Sequence, residues 1–201
     1  MFNSNYVKGA IVLFISLISS FYVIKYYLFK STPTQTHMPK ELLLNLKSGD
    51  IIFRKESNQI SDIFAKVNNS QYSHIGLINI EDKKITVIHI EDNADESDLK
   101  SNNIDEFLHF ATKYSIYRSI NKIDEDKLRQ TLLSMKKQNL EFDLEFSGDE
   151  SDNRVYCTEL IYKIYQKSCS VDIQPKPRTY MNFKYIPLKS FMNEKYFIKV
   201  Y

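Results

Sequence analysis

With 201 residues, 43% of them hydrophobic and 26% charged, the chain has a globular composition and can bury one substantial core. Its 27 basic and 25 acidic residues leave a formal net charge of +2, so no large one-signed field nominates nucleic acid as a partner. Length and composition together point to one soluble domain with an appendage.

The appendage is N-terminal. Residues 9–24 are uncharged and mostly apolar, and the apolar character continues to residue 29 if Lys25 reaches out to the interface. That is about the length a helix needs to cross a bilayer, and we expect residues 1–30 to be an uncleaved membrane anchor with a transmembrane helix. A cleaved signal peptide is the alternative, although no small-residue cleavage site follows. Residues 31–40 are polar, contain Pro33 and Pro39, and are expected to be a tether to a domain over residues 41–201. On this reading the domain lies on the periplasmic or extracellular side of a membrane. Lys25, Lys30 and Lys40 set against Lys8 leave the orientation open.

Within the domain, residues 41–46 form a short apolar stretch compatible with a helix, and Ser48-Gly49-Asp50 is a turn into a strand at 51–54. Ile60, Ile63, Phe64 and Val67 recur at helical spacing, ending near Asn68. Residues 74–80 and 85–90 read as two strands joined by a turn at 81–84, and are expected to pair antiparallel. Residues 91–103 are polar and acidic and read as an exposed loop. A short helix from Ile104, a strand over 114–120 and a helix carrying Leu128, Leu132 and Met135 follow. After a polar stretch at 147–154 a helix starts at residue 156, then a loop with Pro175 and Pro177, then a terminal strand at 196–201. The mixture predicts an α+β fold: a small, mostly antiparallel sheet packed with helices.

Cys157 sits where the polar stretch gives way to helical periodicity, and His74 opens an apolar strand. A thiol at a helix start feels the positive end of the macrodipole, which favours the thiolate, and a neighbouring imidazole would complete a cysteine nucleophile. A third polar group normally orients that imidazole. Strand alternation nominates His89 or Glu91, two apart on one face, with His89 preferred. Taken alone, a buried free cysteine and a structural histidine explain the same residues. A metal held by His74, His89, Glu91 and Cys157 lacks the short ligand spacing such sites show, so neither metal nor cofactor is expected. Cys157 and Cys169 are about 18 Å apart along a continuous helix, too far for a disulfide.

Four segments occur in a telling order: Gly49-Asp50-Ile51-Ile52-Phe53-Arg54, Tyr72-Ser73-His74-Ile75-Gly76-Leu77, Phe142-Asp143 with Phe146, and Tyr156-Cys157-Thr158-Glu159-Leu160. Together they resemble the circularly permuted branch of the NlpC/P60 papain-like superfamily, and within it the YiiX/YaeF-like amidases, relatives of the lecithin:retinol acyltransferase group. The resemblance covers roughly residues 45–165. It implies a permuted papain-like fold, Cys157 as nucleophile and His74 as general base, since the histidine precedes the cysteine here as it does in that family. It maps the third polar residue to His89, with Glu91 possible after a change of register, and Thr158 departs mildly from the family's frequent serine. The function so implied is a membrane-anchored thiol hydrolase acting on a peptide or acyl-amide substrate, either cell-wall peptide or an N-acyl, lipid-like amide. A lipid acyltransferase or thioesterase using the same Cys-His pair is the enzymatic alternative. A non-catalytic module that binds a peptide or acyl ligand is the other.

Overall fold

The apolar and β-branched runs form the centre of a six-stranded antiparallel sheet. The computed structural model describes residues 20, 23, 24, 26, 27, 30, 32–34, 36–91, 99–143, 153–169, 173, 175–180 and 183–201. In chain order the elements are α1 (Lys40–Asn45), β1 (Ile51–Glu56), α2 (Gln59–Val67), β2 (His74–Glu81), β3 (Lys84–Ile90), β4 (Leu99–Asn102), α3 (Ile104–Leu108) and β5 (Ala111–Ser119). They continue with α4 (Glu125–Lys137), β6 (Glu141–Phe142), β7 (Arg154–Val155), α5 (Cys157–Ser168), β8 (Arg178–Tyr180), β9 (Phe183–Tyr185), a 3-10 turn (Leu188–Met192) and β10 (Phe197–Lys199). The main sheet runs β10-β5-β1-β2-β3-β4, so β1 and β2 are central.

Alternation along the strands divides the core in two. Ile51, Phe53, Ile75, Leu77, Ile88 and Ile90 face the layer made by α4 and α5, including Leu132, Leu160 and Ile164. Ile52, Ile78, Val87 and Ile116 face the other side, under Leu42, Leu46, Ile104, Phe107 and Leu108. The helix starts are set by side-chain caps: Asn58 accepts from Ser61 N–H, Asn103 and Glu106 form a reciprocal capping box, and Asp124 accepts from Lys127 N–H. α1 and α5 differ, because Pro39 and Tyr156 supply no side-chain cap.

The turn into β1 depends on Gly49, which has φ +88°, in the left-handed region. Its N–H donates to Ile78 O at 2.8 Å and its carbonyl accepts from Tyr165 Oη at 2.5 Å, tying β1, β2 and α5 together. Asp50, almost wholly buried, takes a two-pronged contact from Arg118 at 2.7 and 2.6 Å and a third hydrogen bond from Lys47 N–H.

Two expectations need correction. Residues 91–103 are not all loop: Leu99–Asn102 is an edge strand pairing with β3, His89 opposite Lys100, while 92–98 lie outside the described residues. The N-terminal transmembrane helix is also overturned. Among the described residues no helix is long and apolar enough to cross a membrane. The uncharged run stops at Lys25, short of the ~20 residues that a spanning helix needs. Residues 1–19 lie outside the described residues. Nearer the domain, Thr34 and Thr36 donate to Ala111 O at 2.7 and 2.6 Å, and Met38 is buried against the sheet.

Candidate active site

Cys157 is the first residue of α5 and His74 the first of β2, and both line one cavity of about 330 Å³. The two residues that flank Cys157 clip the same neighbour. Tyr156 Oη accepts from Ile186 N–H at 3.0 Å, and Thr158 Oγ1 donates to Ile186 O at 2.7 Å. Leu188 N–H donates to Asn68 Oδ1 at 3.1 Å and Tyr185 Oη to Val67 O at 2.9 Å, so residues 185–188 form a strap from α5 to the end of α2. That strap, with Ile60, Phe64 and Phe142, makes an apolar wall. Arg54, Glu56 and Glu91 make a polar one.

The imidazoles are placed by the sheet. His74 lies opposite Arg54 of β1. His74 Nε2 is 3.1 Å from His89 Nδ1, and His89 Nε2 is 2.7 Å from Asn102 Oδ1 on the edge strand. Both rings stand against Phe107, at centroid distances of 5.9 and 5.0 Å. Glu91 is drawn elsewhere: Arg54 donates to its Oε2 at 2.7 Å and Lys100 to its Oε1 at 2.9 Å. Its nearer oxygen lies 3.9 Å from His89 Nδ1. Of the two residues that alternation offered, His89 is therefore the one in hydrogen-bond contact with His74. Arg54 is pinned by Phe107 O at 2.7 Å, by Glu56 at 2.7 Å and by Glu91, with its guanidinium 4.4 Å from the Phe107 ring centroid.

Charge follows from burial. Burial drives His74 well below the usual imidazole value, reinforced by the nearby charge of Arg54 and by His89. Burial likewise takes His89 down to about 4, with Glu91 and Asn102 pulling the other way. Burial on its own would raise Glu91, but the surrounding cations hold its carboxyl well below the ordinary range. Although Cys157 keeps some exposure to the cavity, burial pushes its thiol up to about 12, against the N–H groups of Thr158, Cys157 and Ile75, which lower it. The helix start does favour the thiolate, as the sequence suggested, but desolvation is the larger effect. The resting pair is a neutral thiol and a neutral imidazole.

His74, His89 and Glu91 also bring one potential metal-ligand atom each within 4.8 Å of one another. Three of the four ring nitrogens are committed to each other and to Asn102, and both Glu91 oxygens to Arg54 and Lys100. Two fixed cations at the carboxylate oppose a further one, so the arrangement fits a hydrogen-bonded network and not a coordinating set. Cys169, at the other end of α5, is a free thiol like Cys157.

The sequence reading missed Arg54, Asn102 and Glu106. A signal for Glu106 was present in Asn103-x-x-Glu106, the pattern of a capping box, which fixes the start of α3.

The sequence pattern of the permuted papain-like amidase enzymes, the YaeF/YiiX or C92 peptidase family, matches residues 45–185. The chain belongs to that family. Its members are described as permuted papain-like amidase enzymes. A relative within it is YiiX of Escherichia coli strain K12, an uncharacterised protein 26% identical over 127 residues, which are 63% of this chain and 61% of that protein. The chain thus spans less than two thirds of that relative's length. The fold is similar to a crystal structure described as the metalloprotein YiiX from Escherichia coli O157:H7, with a TM-score of 0.61 at 19% identity over 77% of this chain and 96% of that one.

Proposed function

We propose that the chain hydrolyses an amide bond through an acyl-enzyme on Cys157, with His74 as general base and acid and His89 orienting the His74 ring. The observation carrying this reading is the shared cavity: Cys157 and His74 line it together, and His74 is held from behind by His89. His74 Nε2 is taken by His89, so Nδ1 is the nitrogen left for the thiol. It accepts the Sγ proton as sulfur attacks the substrate carbonyl. The developing oxyanion meets N–H groups at the uncapped start of α5. His74 returns the proton to the leaving nitrogen as the C–N bond breaks. Water then adds to the thioester, gives its proton to His74, and the carboxylic acid departs with the thiol restored.

The apolar wall favours a substrate whose acyl part is hydrophobic, so an N-acyl, lipid-like amide fits this cavity better than a polar cell-wall peptide. The relative from O157:H7 is described as a metalloprotein. Because both oxygens of the one carboxylate among the candidate ligands are hydrogen-bonded to Arg54 and Lys100, no step is routed through a metal.

The test is hydrolysis of N-acyl amino-acid amides of increasing chain length, with mass spectrometry of the protein during turnover. The expected result is a transient mass increase on Cys157 equal to the acyl group. His74→Ala should slow hydrolysis by about 10²- to 10⁴-fold. A Cys157→Ala variant with undiminished turnover refutes the mechanism. Saturable binding with no acyl adduct and no product would make the pocket a binding module.

A further inference from the structure

We infer that Asn102, held in orientation by Glu106, is a positioning residue that fixes which nitrogen of each imidazole carries its proton, leaving His74 Nδ1 bare. The inference rests on the reading above for its catalytic meaning, although the tautomers themselves can be measured without any substrate.

The argument runs inward from the surface. Glu106 Oε2 accepts from Asn103 N–H at 2.9 Å, as half of the capping box that starts α3. A carboxylate has no hydrogen to give, so the Asn102 group 3.1 Å from that oxygen must be its NH2, the donor end of the amide. The amide carbonyl then faces His89 Nε2 at 2.7 Å. A carbonyl only accepts, which puts the ring hydrogen of His89 on Nε2. In a neutral imidazole the other nitrogen carries a lone pair. His89 Nδ1 is therefore an acceptor, and its partner at 3.1 Å, His74 Nε2, must be the donor. The His74 hydrogen is thus on Nε2 and the lone pair on Nδ1, the state a general base needs toward a neutral thiol.

Each link has one direction, so the order set at Glu106 passes through two side chains, Asn102 and His89, to the base. The strand register makes this possible. Asn102 stands opposite Val87, two residues from His89 on the same face of β3, close enough for the diagonal contact. No other hydrogen-bond partner of His89 among the described residues is an obligate acceptor, and Glu91, the nearest carboxylate, is turned to Arg54 and Lys100. Without Asn102 the pair can invert: His89 protonated on Nδ1 would donate to His74 Nε2, placing the His74 hydrogen on Nδ1, where it blocks proton uptake from sulfur.

Long-range ¹⁵N–¹H correlation spectra of the full chain at neutral pH read the tautomers directly. The expected wild-type result is one tautomer for each ring, with His74 Nδ1 and His89 Nδ1 unprotonated. In Asn102→Ala the His74 signals should move toward the other tautomer and kcat should fall about tenfold, the size of one lost hydrogen bond, with KM little changed. The double variant Asn102→Asp with Glu106→Gln keeps an obligate acceptor facing His89, a carboxylate at 102 that accepts from His89 Nε2 and from the amide NH2 at 106, and should recover the wild-type tautomer and most of the rate. A wild-type spectrum with the His74 proton on Nδ1 overturns the inference, as does an Asn102→Ala variant with unchanged tautomers. If the wild type hydrolyses no amide, the proposed function fails while the spectra still decide the inference.

Discussion

Acid should destabilise this fold well above the pH at which carboxylates titrate, and the histidine pair sets the window. His89 has a value of 6.5 in an exposed chain and about 4 in the folded one. A depressed imidazole binds fewer protons folded than unfolded, so protons favour unfolding. The contribution is whole above 6.5, diminishes as pH falls through that value, and is exhausted near 4. Over the full window it amounts to about 3 kcal/mol at 1.36 kcal/mol per pH unit. About 2 kcal/mol of that is lost by pH 5. His74 is depressed for the same cause and adds in the same direction. Glu91 is depressed as a carboxylate, so its contribution is present above 4.5 and is lost only below that. The assay is urea unfolding at pH 7 and pH 5 with fluorescence and circular dichroism followed together. The wild type should lose at least about 2 kcal/mol between the two, and His89→Gln should lose distinctly less. Equal stability at both pH values would refute the claim that burial holds these rings neutral.

The neutral thiol gives a kinetic prediction. Iodoacetamide should modify Cys157 at a rate that keeps rising from pH 7 to 9, because burial has pushed its thiol up to about 12; a rate already level at pH 7 would reveal a preformed thiolate. For the turn before β1, Gly49→Ala should lower urea-unfolding stability by about 1–3 kcal/mol, since its φ of +88° strains any side chain and the new Cβ would run into Ile123. An unchanged midpoint would sink that argument.

What the sequence displayed well was whatever carries its own periodicity. β2, β3, α2 and α5 are long, regular and half apolar, so their pattern names both the element and the inward face. β4 escaped because Leu-Lys-Ser-Asn has a single apolar residue, and what makes it a strand is β3 beside it. The β8–β9 hairpin was hidden in the same way by its short strands. For the candidate site, Cys157, His74 and His89 were nominated through motif order and strand alternation, and the structure brings His74 and His89 into contact and lines one cavity with Cys157 and His74. Asn102 was not, since its position follows from the register of a strand that the pattern does not announce. The pairing of Arg118 with Asp50, 68 residues apart, likewise has no local trace. The charge state of Cys157 needed the structure as well, because a helix start is readable from residues and the depth of desolvation is not.

The strap over the cavity is anchored chiefly by its backbone: Ile186 through N–H and carbonyl, Leu188 through N–H. Residues 186 and 188 also line the cavity. Mutational drift there can reshape what the cleft admits without disturbing how the Cys157 sulfur is seated, so the shape of the cleft and the setting of that thiol are free to evolve on separate tracks.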